Sequence, residues 1–403
     1  MKVLIVSQFF SPENFRINDL TKALIERGHE VQILTGKPTY PDAKRFANVD
    51  LHSHDKKWLS QINLFRVTTT DRKRSTLSIA LNFLTFVFSA SVFALRKIKK
   101  DDVDIIFAFA PSPITAVIPA IILSKKIKKP VVAWVQDLWP DAIQATDKTD
   151  NKLILGATAK MVRWIYRNCN LVLGQSEAFV SEIQKMERRA TTKLFYNWSE
   201  GIFFDIRLTS QKKGGRYFEV LFAGNLGASQ DLLTIVEAAN ILRNEPRIRW
   251  TIAGSGVMRS KMEEAVAEQK LSDKVRFLGQ IDLEQMPNVY ANSDALLITF
   301  KDNPLFHKTI PARVQSALAS GKPIIAALDG ETRSIIDKQT CGMTCPSSNP
   351  KKLAEAVLKM MRLDPETRLN MGLRGREFAR LNFNREIQIS QLEKYLIETK
   401  KKE

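Results

Sequence analysis

At 403 residues the chain is too long for one ordinary hydrophobic core, so two domains are expected. Its 44% hydrophobic and 26% charged residues fit a folded soluble protein. The formal charge of +18 invites a nucleic-acid partner. The lysines and arginines are scattered, however, and no RNP, helix-turn-helix or zinc-knuckle pattern accompanies them. We therefore set nucleic acid aside in favour of anionic lipid headgroups and diphosphate ligands. Cys169, Cys341 and Cys345 lack paired spacing and read as reduced thiols.

Lys2–Val6 reads as a buried strand, and Val3–Val6, short with one lysine before it and polar loop residues after, does not read as a signal peptide. The loop Ser7–Ile17 follows, then a helix from Asn18, as N-cap, to Arg27, closed by Gly28. Glu30–Leu34 completes a βαβ unit, which predicts parallel strands with ligands at their C-terminal ends. Asn14 and Arg16 lie in the first such loop, facing the crevice, and no G-x-G-x-x-G is present. His29 reads as surface. Gly36–Asp55 is a polar loop in which His52, His54 and Asp55 look metal-like but have no further ligand near, so no zinc site is read.

Thr76–Leu95 carries no charge and is flanked by Arg72-Lys73-Arg74, Arg96-Lys97 and Lys99-Lys100. About 20 apolar residues can span a bilayer. Its polar residues, and the βαβ pattern on both sides, favour a helix packed on the sheet whose exposed apolar side dips into the membrane interface. An entirely buried helix is the alternative.

Asp104–Ala108, Val131–Val135 and Leu171–Leu173 read as strands, with helices Ser112–Lys125, Lys152–Arg167 and Ser176–Arg188. Asp101-Asp102-Val103-Asp104 imitates a metal-binding D-x-D but sits at a strand's N-terminal end, so it reads as solvated charge. Asp137, just past Val131–Val135, points toward the predicted ligand side and could serve a sugar hydroxyl or cap a helix; Asp141 reads as a cap. Lys193–Tyr196 ends the first half, and Asn197–Gly215 reads as the linker. A second series follows at Glu219–Ala223, Ile248–Ala253, Val275–Leu278, Ala295–Phe300 and Pro323–Leu328. The domains are expected at 1–200 and 201–382, with 383–403 as a final helix.

In the second half, Gly224-Asn225-Leu226-Gly227 joins a strand to a helix whose expected N-cap is Ser229, a turn that suits a phosphate. Gly254-Ser255-Gly256 repeats the logic, and Gly279-Gln280-Ile281 lies just past a strand end. The stretch Asn303–Leu328 reads as an irregular loop over Pro304–Pro311, a helix Pro311–Ala319, a left-handed Gly321 and a buried strand. Lys308 and Arg313 beside that helix start make an anion site, with His307 adjacent.

The string TIPARVQSALASGKPII resembles the donor-binding segment of family-4 glycosyltransferases of GT-B fold, in the branch building bacterial O-antigen and capsule. SQFFSPENFRINDL, LTGKPTYP, WVQDLWPDA, GQSEAFV, FYNW and FAGNLG match along nearly the whole chain. The resemblance implies an α/β protein with two Rossmann-like domains, a cleft between them, and a last helix crossing back to the first. It implies a retaining transfer from a nucleoside diphosphate sugar, UDP-linked as the leading case, to a polyprenyl-diphosphate-linked glycan. The expected setting is cytoplasmic, peripheral on the inner face of the membrane, with no cofactor and no metal. An N-acetylated 6-deoxyhexosamine is the sugar suggested by the nearest-looking branch.

The family's paired glutamates are not intact: Lys308 stands at the first and Ser316 at the second. Gln315 and Ser316 would then replace the glutamate that holds the ribose, while Asn225 and Gln230 stand where relatives place charged groups for the diphosphate. By the resemblance, Gly224, Asn225, Gly254, Gln280 and Ile281 hold the nucleotide. Lys308, Arg313 and the amides at Thr309 and Ile310 would stabilise the leaving diphosphate, and Asn14 and Arg16 would meet the donor on closure. Two other classes stay open: a UDP-sugar 2-epimerase of the same fold, and a non-catalytic protein binding anionic lipid or nucleic acid.

Overall fold

The computed structural model describes residues 1–40, 43–46, 56–72, 75–144, 151–208 and 217–402. His52, His54 and Asp55, the pair Lys73-Arg74 and the Lys212-Lys213-Gly214-Gly215 run lie outside the described residues. The chain forms two compact units: Met1–Phe195 with Ile389–Glu403, and Tyr196–Gln388.

The first unit is built on a parallel sheet of β1 (Lys2–Ser7), β2 (Glu30–Gly36), β3 (Asn63–Val67), β4 (Ile105–Ala110), β5 (Val131–Val135), β6 (Leu171–Gly174) and β7 (Thr192–Leu194), in the order β3-β2-β1-β4-β5-β6-β7. The central strands are wholly buried runs of branched and aromatic residues, as a sheet covered on both faces requires. Trp134 anchors that core against Phe107, Phe109 and Phe195. Strand order reverses between β1 and β4, the switch point where α/β sheets place ligands. The edge strand β3 was not read from the sequence, because NLFRV is only half-buried and lacks a continuous apolar run.

Two first-unit readings are corrected. The first helix is Arg16–Glu26 with Phe15 as N-cap; Asn18 instead accepts from the Ser11 amide at 3.0 Å and donates to the Glu13 carbonyl at 2.7 Å. His29 is not a free surface ring: its Nε2 lies 2.8 Å from Glu393 Oε1, while Glu393 Oε2 pairs with Arg27. That Glu393 belongs to the last helix, Arg385–Lys401, which from Ile389 onward is part of this unit. There it also pairs Glu398 with Lys193 at 2.8 Å and Lys400 with Asp104 at 2.9 Å.

Helix Thr76–Lys97 is long and apolar enough to cross a membrane by length and composition. It is two-faced. Asn82, Phe86, Ala90 and Ala94 are buried, and Asn82 accepts from Gln8 at 2.8 Å. Leu77 (71% exposed), Leu81, Leu84 and Phe88 (73%) line the opposite side at helical spacing.

The second unit holds β8 (Phe218–Ala223), β9 (Ile248–Ala253), β10 (Val275–Gly279), β11 (Ala295–Thr299), β12 (Ile324–Ala327) and β13 (Gly342–Cys345), all parallel, in the order β10-β9-β8-β11-β12-β13. Its switch point lies between β8 and β11. Residues read as the start of a linker pack into this unit: Tyr196 meets Phe383 at 5.2 Å, Phe203 meets Tyr290 at 5.0 Å, and Trp198 is buried. Helix Glu331–Lys338 and β13 were likewise not read from the sequence.

Candidate functional site

Gly224 and Gly254 end β8 and β9 and touch backbone to backbone. A Cβ on Gly254 would lie 1.9 Å from the Gly224 carbonyl oxygen, and its φ of 138° is one that L side chains rarely adopt, so only glycine fits. The Gly224 amide donates to Ala253 at 2.9 Å, and the Gly254 amide to Gly279 at 2.6 Å. These amides are thus committed to holding the loops together. The helix after the first loop also starts later than expected: a 3₁₀ turn, Ala228–Gln230, intervenes, and the helix runs Leu232–Ile241. Ser229 is not its N-cap; its hydroxyl accepts from the Gln230 side-chain Nε2 at 2.9 Å.

A cavity of about 390 Å³ opens above these loops. Gly224, Asn225, Gly254, Gln280 and Ile281, all expected at the donor, line it together with Tyr290. Ser255 Oγ donates to Gln280 Oε1 at 3.3 Å.

Arg313 supplies the charge at this place. It sits in the first turn of helix Ala312–Ser320, which Pro311 starts and Gly321, at φ 72°, ends. Its guanidinium lies 4.8 Å from the Phe222 ring on β8 and 5.1 Å from the Phe300 ring just after β11, and so occupies the switch point. A Cβ on Gly224 would stand 3.5 Å from Arg313 Cζ, ordinary contact distance, so the guanidinium lies directly against this glycine, whose φ of 147° is one that L side chains rarely adopt. Arg313 Nη1 is buried with no hydrogen-bond partner among the described residues. Burial lowers the arginine to about 10, an effect that the neighbouring Tyr290 opposes. A buried donor of a cation left without an acceptor is costly, and Arg313 lies against Gly224, which lines the cavity, without lining it itself.

The expected irregular loop is in part a helix, Pro304–Lys308, because Asn303 accepts from the Leu305 amide at 2.9 Å and caps it. Lys308 is its last residue. The Thr309 amide donates to Phe306 at 3.2 Å, closing that helix, so its expected role toward a leaving group is withdrawn. Ile310 is buried, and His307 Nε2 lies 3.0 Å from Asp302 Oδ1. Gln315 is wholly enclosed, and neither of its side-chain polar atoms has a partner among the described residues.

Sequence reasoning missed Glu200, whose Oε2 stands 3.3 Å from Ser316 Oγ. Tyr290 is linked to the same group: burial raises its phenol pKa, Arg313 lowers it, and Glu200 raises it further. The only signal in the sequence was the neighbouring FYNW string.

In the first unit, Glu13 organises the loop after β1. Its carboxylate accepts the amides of Phe10 (3.1 Å), Thr39 (2.8 Å) and Tyr40 (2.7 Å), and burial nevertheless lifts its pKa to about 7. Asn14 is exposed in that loop, and Arg16 opens the following helix. Asp137 stands two residues past β5, where burial raises it to about 6.

The two halves match two family models: "Glycosyltransferase Family 4" over residues 15–197 and "Glycosyl transferases group 1" over 206–378. With the doubled parallel-sheet architecture, these matches place the chain among the family-4 glycosyltransferases of GT-B fold. Among curated relatives, the chain is 27% identical to a probable glycosyltransferase, WbjE, of Pseudomonas aeruginosa, over 38% of this chain and only 37% of that protein. It is 25% identical to a putative colanic acid biosynthesis glycosyl transferase, WcaI, of Escherichia coli K12, over 82% of this chain and 84% of that one. Among solved structures, Anabaena HepE in complex with UDP aligns at a TM-score of 0.72 and 16% identity, covering 99% of this chain and 100% of HepE.

Proposed function

We propose that this protein transfers a sugar from a nucleoside diphosphate sugar, UDP-linked as the leading case, to a lipid-linked glycan in bacterial surface polysaccharide synthesis. The observation that carries this is Arg313, whose buried Nη1 has no hydrogen-bond partner among the described residues, at the switch point against Gly224 of the loop that lines the cavity. The colanic acid relative supports the polysaccharide setting, and HepE supports a uridine diphosphate. The sugar suggested is an N-acetylated 6-deoxyhexosamine.

In this reading the nucleotide lies over Gly254 and Gln280, its diphosphate reaches Arg313, and Lys308 adds charge. Glu200, with Ser316, offers a carboxylate for ribose hydroxyls in place of the family's glutamate. Transfer proceeds with retention on the front face. The acceptor oxygen bonds the anomeric carbon as the bond to the diphosphate oxygen breaks, and that departing oxygen takes the acceptor's proton. Arg313 stabilises the charge that grows on it. Asp137, Asn14 and Arg16 serve the sugar and acceptor from the first unit, and no metal is needed.

Thermal-shift measurements with UDP, GDP, ADP and dTDP test this reading. A ligand bound only by the folded chain raises the melting temperature, and UDP is expected to do so alone. No shift with any of the four would overturn it. Release of free epimer without acceptor would favour the 2-epimerase instead.

A further inference from the structure

Phe300, one of the two rings against the Arg313 guanidinium, is the first residue past β11 and is itself met by Phe306 at 5.7 Å. Phe306 belongs to the five-residue helix Pro304–Lys308, which is too short to hold its place alone. Its own bonds are local: Asn303 caps the start, the Thr309 amide donates to Phe306, and the Thr309 hydroxyl donates to the Leu305 carbonyl at 2.9 Å. Outside support comes from the loop after β12, the strand paired beside β11. Gly330 in that loop lies so close that a Cβ on it would stand 2.0 Å from the His307 carbonyl oxygen and 2.3 Å from the His307 Cα. Both are backbone atoms, so turning a side chain could not relieve the clash. Two residues on, Thr332 Oγ1 donates to the Thr309 carbonyl at 3.3 Å. The loop is anchored in turn, because Asp329 accepts the Ser347 amide at 3.1 Å, its hydroxyl at 2.8 Å, and Arg333 Nη1 at 2.8 Å.

Contacts therefore run without a break from Asp329 and Gly330, through the backbone of His307 and the ring of Phe306, to Phe300 and Arg313. Aromatic faces hold a guanidinium flat without using its N–H groups, which leaves those groups to a ligand. The orientation of the fork then depends on where the Phe300 ring is held. We infer that Gly330 and Phe306 are positioning residues for the donor site: Gly330 seats helix Pro304–Lys308 through the His307 backbone, and Phe306 backs Phe300 against the Arg313 guanidinium. The inference rests on the reading of Arg313 as the partner of a nucleoside diphosphate.

The test measures binding of UDP and of uridine by the full chain, since these two ligands differ only in the diphosphate. Wild type should prefer UDP, and Arg313→Ala should remove most of that preference. Gly330→Ala and Phe306→Leu should each shrink the preference by about 3- to 30-fold, the range of a displaced cation–π contact, with uridine affinity unchanged. Phe306→Tyr keeps the ring and should keep the preference. In the Arg313→Ala background neither substitution should lower it further, because no guanidinium is left to seat. Phe306→Leu leaves the Gly330 turn untouched, so the inference stays testable should Gly330→Ala fail to fold. Equal losses for UDP and uridine would make both residues supports of the fold alone and overturn the inference. A wild-type preference in Phe306→Leu would overturn it too, while the loss in Arg313→Ala would leave the donor reading standing. Were Arg313→Ala itself to keep the preference, the donor reading would fall and the inference with it.

Discussion

Ser316 Oγ lies 3.3 Å from Glu200 Oε2, so a carboxylate 116 residues away in sequence is held against helix Ala312–Ser320. A hydrogen bond to a charged group contributes about 1.5–3 kcal/mol, or roughly 10- to 100-fold in affinity. Wild type should therefore prefer UDP to 2′,3′-dideoxyuridine diphosphate by that factor, and Glu200→Ala should erase the preference. Equal affinity of wild type for the two nucleotides would remove the ribose role.

Arg313→Ala should lower turnover by roughly 30- to 1000-fold, corresponding to about 2–4 kcal/mol of transition-state stabilisation. Arg313→Lys should also hurt, because an ammonium cannot match the fork held between Phe222 and Phe300. Lys308→Ala should have a smaller effect, since Lys308 ends a separate short helix, Pro304–Lys308. Wild-type turnover in both alanine variants would move the phosphate site elsewhere.

Burial holds Asp137 near 6 instead of the ordinary carboxylate range. If its ionised form assists the acceptor or sugar, kcat/KM should fall about tenfold per pH unit below 6. Asp137→Asn should flatten that limb. A variant keeping the wild-type profile would leave Asp137 as a helix-capping residue.

Glu13 titrates at about 7 in the folded chain, against an ordinary value of 4.5. The folded state binds this proton more tightly than the unfolded one. Its contribution is therefore complete below pH 4.5 and is lost as pH rises through 7. The shift corresponds to about 3 kcal/mol. Wild type should lose stability between pH 5 and 8, and Glu13→Gln should be less stable at pH 5 but shallower in slope. Parallel denaturation curves across that range would show that Glu13 does not carry the dependence.

Phe86 and Phe88 differ by two positions and should behave oppositely. Phe86→Ser removes a wholly buried ring and should cost about 3–5 kcal/mol of stability. Phe88→Ser should leave the melting temperature within about a degree and reduce recovery on membranes, in a fraction that alkaline carbonate releases. Recovery of wild type only after detergent extraction would contradict peripheral attachment.

The alternation of apolar strands and amphipathic helices determined the doubly wound α/β class before any coordinates. Val131–Val135, Ile248–Ala253 and Lys152–Arg167 match their sequence-derived bounds. Those segments are legible because periodicity and caps are local properties of the chain. The glycine turns were legible too, because positive φ leaves its mark in residue type. What stayed hidden depends on distant partners. The half-buried edge strand β3 is a strand only because β2 offers it a register. Asn18 fails as a cap because Ser11 and Glu13 take up its side chain. Arg313 was visible as a basic residue near a helix start, yet its place between Phe222 and Phe300 follows from the strand order, which brings β8 beside β11. Glu200 carries no motif at all. Its carboxylate reaches Ser316 because Trp198 and Phe203 bury their rings in the second unit, and that packing carries the chain past helix Ala312–Ser320.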